Sequence, residues 1–116
     1  ACKIPGFQMA GKPGTTQVMG FSADQIHVKC MTRPVHMRHH GWFVAFSPPE
    51  KPEITVAVLA EHSCSGAGGA APLVRDVIEA YHRKYHPEIV AEALKNKKIQ
   101  QAVAPPPPQE AESESE

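Results

Sequence analysis

Five consecutive residues combine side chains that could bind and polarise a substrate: Lys12, Pro13, Gly14, Thr15 and Thr16. A lysine ammonium favours a bound anion, and a glycine lets another backbone approach because it has no Cβ. A threonine offers an N–H and a hydroxyl as donors. Each residue also has an ordinary interpretation, as a solvated strand-edge lysine, a turn glycine or a β-favouring threonine. The surrounding segments must decide between these interpretations.

Histidine and cysteine supply a second candidate chemistry. His27-x-x-Cys30 and His36-x-x-His39-His40 contain ligand types that zinc binds, in a segment that could fold around a metal. The spacing matches no common zinc finger, and His40 belongs to a strand pattern. Structural histidines or polar loop residues are therefore the favoured interpretation, and no cofactor is predicted.

The three cysteines lie at positions 2, 30 and 64 and form no C-x-x-C motif. An odd number without such a framework does not define a redox compartment. Cys2 and Cys30 are interpreted as unpaired small apolar residues. Cys64 could be a nucleophile, but no base partner is evident, since His62 is too near in sequence to settle the geometry.

Length and charge restrict the class of protein. The chain has 116 residues, enough for one domain, and its 12 basic and 12 acidic side chains cancel. This balance does not indicate a nucleic-acid partner, which usually needs a basic face. The longest apolar run, residues 54–60, is too short to span a bilayer. Without a signal pattern or initiator methionine, we expect the sequence to begin within a longer protein, although a processed N-terminus would look similar.

Strand patterns surround the candidate residues. Residues 8–18 predict one strand, and residues 41–47 and 54–60, which are rich in β-branched, aromatic and other apolar side chains, predict two more. The prolines between the last two predict a turn and an antiparallel hairpin. Residues 21–40 predict a long loop with one short strand near residues 26–28.

Helical patterns follow a small, flexible segment, residues 63–71. Pro72 suits the first residue of a helix. The predicted apolar stripe of this helix consists of Leu73, Val74, Val77, Ile78, Tyr81 and Tyr85. Core packing is its usual purpose, although it could dock another protein. Pro87 can start a short second helix at residues 87–104, which would carry Ile89, Val90, Ala93 and Leu94 on one side.

Residues 105–116 combine four prolines with an acidic, apolar-poor end and predict a disordered tail. The proline run could bind a proline-reading module, but a solvated terminus is the commoner case.

These elements predict an α/β protein of the α+β type, with an antiparallel sheet of about three strands and a C-terminal helix packed on one face. The strands look apolar on both sides, and such a sheet needs cover on both faces. We therefore expect a further part of the protein, or a partner chain, to cover the second face.

Four sequence blocks, in order and with family-like spacing across residues 5–86, resemble the transpeptidase domain of class B penicillin-binding proteins. The likeness is closest to penicillin-binding protein 2, the elongation type. The blocks are residues 9–18 (M-A-G-K-P-G-T-T-Q-V, like A-G-K-T-G-T-x-Q-V), residues 40–48 (H-G-W-F-V-A-F-S-P, like H-x-W-F-V-G-F-A-P), the following strand at residues 54–62, and the glycine turn at residues 68–74. Residues 1–86 are thereby expected to be the C-terminal segment of such a domain.

The resemblance implies a serine acyl-transfer enzyme that cross-links peptidoglycan. Its partners would be stem peptides ending in D-Ala-D-Ala, the β-lactams that mimic them, and the remainder of the transpeptidase domain. It implies a domain on the periplasmic side of the bacterial inner membrane, held by an N-terminal anchor that this sequence does not contain.

The same resemblance assigns roles to the first motif. Lys12 would place its charge beside the active serine and the substrate carboxylate, and Thr15 would donate its N–H to the oxyanion; both are predicted catalytic residues. Pro13, Gly14 and Thr15 are predicted to bind substrate, while Thr16 receives little weight because alternation turns it to the other face.

Two departures from the family pattern affect the expected activity. Pro13 stands where the family has threonine, so a hydroxyl and a backbone donor are lost. No serine in the chain has lysine three residues on or asparagine two residues on, so the S-x-x-K and S-x-N motifs are absent. We expect the chain alone to be inactive. The alternative is a non-catalytic remnant or binding module that retains the fold.

Overall fold

The computed structural model describes residues 3–103. Within them, three strands form one antiparallel sheet in the order β1 (Ala10–Thr16), β2 (His40–Ser47) and β3 (Ile54–Ala60). Two helices follow, α1 (Ala71–Tyr85) and α2 (Pro87–Val103). The predicted α+β class and the hairpin between the apolar strands are confirmed. The tail predicted at residues 105–116 lies outside the described residues.

The two faces of the sheet differ in cover. On β2, Phe43, Ala45 and Ser47 point to the inner face and are at most 5% exposed. Trp42 and Val44 point to the outer face and are 40% and 43% exposed. Because successive strand residues alternate, an almost continuously apolar strand places half of its side chains on each face. In the described residues only the inner face is covered.

Helix α1 covers the inner face with a narrower stripe than predicted. Its buried residues recur at intervals of three or four and are Ala71, Val74, Ile78 and His82. Leu73, Val77 and Tyr85 are about half exposed, so their assignment to the core was wrong. One helix touches a sheet along a single stripe, and these three side chains lie beside that stripe.

The small-residue segment before α1 forms one turn of π-helix, Gly66–Ala70. It lies directly on the backbone of β1 and β2, because a Cβ on Gly66 would be only 2.1 Å from the carbonyl oxygen of Trp42. A Cβ on Gly41 would be 2.4 Å from the carbonyl oxygen of Ser65. Glycine at both positions therefore permits a close backbone contact at this end of the sheet.

The segment between β1 and β2 contains no strand at residues 26–28, so that prediction was wrong. It forms turns and two short 3₁₀-helices, Cys30–Thr32 and Val35–Met37. Arg33 is buried at its centre, where the guanidinium donates to the carbonyl oxygens of Gln25 and Val28 and lies 3.6 Å from the ring centroid of Phe21. Hydrogen bonds from side chains to backbone carbonyl oxygens, and not a β-ladder, therefore hold this segment.

A disulfide joins Cys30 to Cys64, across 34 positions of sequence. The prediction that Cys30 is unpaired was therefore wrong, and sequence spacing could not reveal the contact because the two cysteines meet only through the fold. The bond attaches the long segment before β2 to the loop that precedes α1. It also removes both thiols as zinc ligands or nucleophiles.

Helix α2 begins at Pro87, as predicted, and ends at Val103, one residue before the end of the expected segment. Val90 is buried, whereas Ile89 is 46% exposed. Among the described residues, no helix combines the length and apolar character needed to cross a membrane.

Candidate active-site edge

Strand β1 lies at the edge of the sheet, paired with β2 on one side only within the described residues. All of the sequence-predicted site residues, Lys12, Pro13, Gly14 and Thr15, lie on it and are exposed. Register places Pro13 opposite Phe43 and Thr15 opposite Gly41. The side chains of Pro13 and Thr15 thus point to the inner face, and that of Lys12 to the outer face.

The packing of Gly66 shows which way the β1 backbone points. A Cβ on Gly66 would lie 2.9 Å from Gly14 N, 2.6 Å from Gly14 O and 2.1 Å from Trp42 O. These atoms therefore cluster at one place, and Gly14 turns its N–H and carbonyl towards β2. Because N–H groups alternate along a strand, Thr15 turns its N–H to the open edge.

The same alternation explains how β1 tolerates proline. The nitrogen of Pro13 points to the open edge, where no ladder hydrogen bond is lost. The Pro13 carbonyl points the same way and accepts a hydrogen bond from Lys12 Nζ at 3.2 Å. The ammonium group is thereby held beside the open edge of the strand that also carries Thr15.

A network of histidines and backbone groups supports the neighbouring end of β2. The backbone N–H of His62 donates to His40 Nδ1 at 2.8 Å, and His62 Nδ1 donates to the carbonyl oxygen of Arg38 at 2.9 Å. Cys64 N–H donates to His39 O at 3.0 Å. His62 and Cys64 have positive φ angles, 53° and 66°, so this loop turns sharply. These histidines hold the loop against the sheet.

Sequence reasoning missed a second polar group, at the other end of β2. The imidazole of His82 is fully buried, 2.9 Å from Ser47 Oγ, and stacks on Phe7 with ring centroids 3.7 Å apart. Burial lowers the pKa of His82 because the charged form is poorly solvated there. Glu53 accepts from His86 at 2.7 Å, and this contact lowers the pKa of the Glu53 carboxyl. The i, i+4 spacing of the two histidines was the signal available in sequence.

Comparison with known proteins decides the family. The family model of the penicillin-binding protein transpeptidase domain matches residues 1–79. The chain belongs to the penicillin-binding protein transpeptidase family. The resemblance drawn from the four sequence blocks is thus confirmed.

Curated relatives of this family are peptidoglycan D,D-transpeptidases. The Haemophilus influenzae protein MrdA is 31% identical over 72% of this chain and 13% of its own length. PbpA of Mycobacterium tuberculosis is 40% identical over 66% of the chain and 14% of its own length. MrdA of Acinetobacter baumannii is 36% identical over 66% of the chain and 11% of its own length. The chain therefore spans about one seventh or less of these bacterial relatives. No solved structure matches it significantly.

Proposed function

We propose that this chain forms the substrate-binding edge of a peptidoglycan D,D-transpeptidase. One observation carries the proposal: Lys12 and Thr15 both lie on β1, the edge strand of the described sheet, and Lys12 Nζ is held at the Pro13 carbonyl. The family membership and the peptidoglycan transpeptidases among its relatives support it. The proposed setting is the periplasmic side of the bacterial inner membrane, where cell-wall stem peptides are cross-linked.

In this proposal a stem peptide ending in D-Ala-D-Ala adds to the open edge of β1 as an extended strand. The Thr15 N–H donates to the oxyanion that forms when a serine attacks the penultimate carbonyl. Such a donor is typically worth about 3 kcal/mol in the transition state. The Lys12 ammonium stabilises the substrate carboxylate and the developing negative charge. Gly14 lets the peptide backbone lie close to the strand. β-Lactams bind the same groups.

The serine must come from residues beyond this sequence, because no S-x-x-K motif occurs in it. The chain by itself is therefore inactive in this proposal. A fluorescent penicillin is expected to leave the purified 116-residue chain unlabelled after denaturing electrophoresis. Covalent labelling of that chain would show that it contains its own nucleophile.

A second candidate is a binding module that keeps the fold without turnover, and Pro13 favours it. The proline lacks the hydroxyl that would hold a substrate carboxylate, and it has no N–H to offer at the open edge. Reverting Pro13→Thr in the intact protein is expected to raise the rate of acylation by fluorescent penicillin. An unchanged or lower rate would mean that Pro13 does not limit acylation.

A chimera tests the proposed edge in a setting that contains a serine. The segment aligned with Haemophilus influenzae MrdA replaces its counterpart in that enzyme, and acylation by fluorescent penicillin is followed with time. We expect labelling that falls about 100-fold in Lys12→Ala, because the edge loses its cation. Lys51→Ala is the matched control, since Lys51 is an exposed lysine in the β2–β3 turn.

Two results would overturn the proposal. One is a folded chimera that labels equally well with Lys12→Ala and Lys51→Ala, because the cation would then have no role. The other is a folded chimera that binds penicillin reversibly but is never acylated, even with Pro13→Thr. That second result would support the binding module instead.

A further inference from the structure

Three ligand-type side chains converge at the end of α1, away from the β1 edge. Glu53 lies immediately before β3, His82 lies in the last turn of α1, and His86 caps that helix. One ligand atom from each lies within 4.8 Å of the other two. This group is defined here as the Glu53–His82–His86 cluster.

The hydrogen bonds of Ser47 determine the tautomer of His82. Ser47 Oγ donates its proton to the carbonyl oxygen of Gln8, which can only accept. Ser47 Oγ must therefore accept from His82, so His82 Nε2 carries a proton. Nδ1 of the neutral ring then has a free lone pair, and it has no hydrogen-bond partner among residues 3–103.

The lone pair on His82 Nδ1 can bind either a hydrogen-bond donor or a metal ion. The His82 side chain is fully buried, and a buried polar atom without a partner is costly. Its ring plane is fixed by Phe7, which stacks at an interplanar angle of 4°. A ring N–H that donates to a neighbouring acceptor and a fixed ring plane are the features that orient a metal-binding histidine.

The buried Ser47–His82 pair is not a nucleophile and its base. Ser47 is 0% exposed, and its proton is already donated to a carbonyl. A substrate has no route to it. The cluster also supplies one carboxylate and two imidazoles, which are metal-ligand types.

We propose that the Glu53–His82–His86 cluster binds Zn²⁺ through the Glu53 carboxylate, the free nitrogen of His82 and one nitrogen of His86, with water in the fourth position. Two imidazoles and one carboxylate are a ligand set that Zn²⁺ accepts. In a tetrahedral site with bonds of about 2.1 Å, the ligand atoms are about 3.4 Å apart. Glu53 is exposed and His86 half-buried, so both can move by the difference of up to about 1.4 Å between the observed 4.8 Å limit and this separation, around the fixed His82 ring.

The proposed zinc ion connects the end of α1 to the residue before β3. It lies near Ser47, whereas Thr15 pairs with Gly41 at the opposite end of β2. Six residues of strand separate the two, which is about 20 Å. The ion thus has a structural role, independent of the proposed substrate edge.

Titration of the full, metal-stripped chain with Zn²⁺ against a chromophoric chelator tests the site. We expect one Zn²⁺ per chain with a dissociation constant in the micromolar range or below, and a rise in Tm. Co²⁺ in place of Zn²⁺ should give the intense visible absorption of a tetrahedral ion. Glu53→Gln and His86→Asn should each weaken binding at least tenfold, because each removes one ligand.

Matched controls separate this site from adventitious binding. His36→Asn and Glu50→Gln remove an exposed histidine and an exposed carboxylate outside the cluster and should leave binding unchanged. The proposal is overturned if the folded wild-type chain binds no Zn²⁺ saturably. It is also overturned if Glu53→Gln, a substitution of an exposed side chain, binds as tightly as wild type, or if the controls lose as much affinity as the cluster variants.

Discussion

The two ends of β2 are stabilised in different ways. At the Gly41 end, backbone packs on backbone, because Gly41 and Gly66 carry no Cβ. At the Ser47 end, rings fill the space, with Phe7 stacked on a buried His82. The Gly41 end leaves the neighbouring β1 edge open with its donors exposed, whereas the Ser47 end encloses its polar atoms. The glycines thus leave the β1 edge accessible at the Gly41 end, and the packed rings make the Ser47 end rigid.

The largest effect is expected from the disulfide near the Gly41 end. Its loss in Cys30→Ser should reduce the free energy of unfolding by about 3–4 kcal/mol, because closing a loop of this length restrains the unfolded chain. Urea denaturation measures the change. Dithiothreitol should destabilise wild type equally and leave the Cys30→Ser, Cys64→Ser double variant unaffected. A wild-type protein insensitive to reductant would show that this end relies on backbone packing alone.

The next largest loss of stability is expected from a substitution at the Ser47 end. His82→Ala removes the ring that stacks on Phe7 and leaves Ser47 Oγ without its donor. We expect a loss of about 3 kcal/mol in the free energy of unfolding, measured with a chelator present. Tyr85→Ala, on the same helix but 58% exposed, should cost less than about 1 kcal/mol. If both variants lost the same free energy of unfolding, the buried His82 ring would contribute no more to stability than the exposed Tyr85 ring.

The smallest loss of stability is expected from a substitution at the close backbone contact. Gly66→Ala would place a Cβ against Trp42 O, so the loop must shift, at a cost of about 2 kcal/mol. In Gly68→Ala the nearest atoms would be 3.7 Å away, and stability should stay the same or rise slightly. Thermal unfolding of the two variants gives the comparison. If both tolerate alanine equally, the Gly41 end is not held by contact between backbones.

Much of the architecture was predictable from local pattern. The hairpin of β2 and β3 follows from two apolar, β-rich runs around a proline turn, and β3 was predicted with the residues it has. Pro72 and Pro87 both mark helix starts to within a residue. The candidate edge was located because Lys12, Gly14 and Thr15 stand in a family-like block. The roles of these residues remain predictions.

Two of the errors share one cause, which is contact between residues distant in sequence. The partner of Cys30 lies 34 positions away, and no spacing rule relates the two. The exposure of Leu73, Val77 and Tyr85 depends on which stripe of α1 meets the sheet. The third error is local: residues 26–28 form turns and a bend in place of the expected short strand, and Arg33 donates to the nearby carbonyl oxygens of Gln25 and Val28.

The sequence by itself determined the family, the order of strands and helices, and the residues of the candidate edge, since these depend on short-range pattern and residue type. Only the tertiary structure decided that Gly66 packs on the backbone of β1 and β2, that Cys30 and Cys64 are bonded, and that Glu53, His82 and His86 meet. The physical reason is that hydrogen-bond direction, burial and ligand geometry depend on which distant segments pack together, and local propensity does not encode that packing.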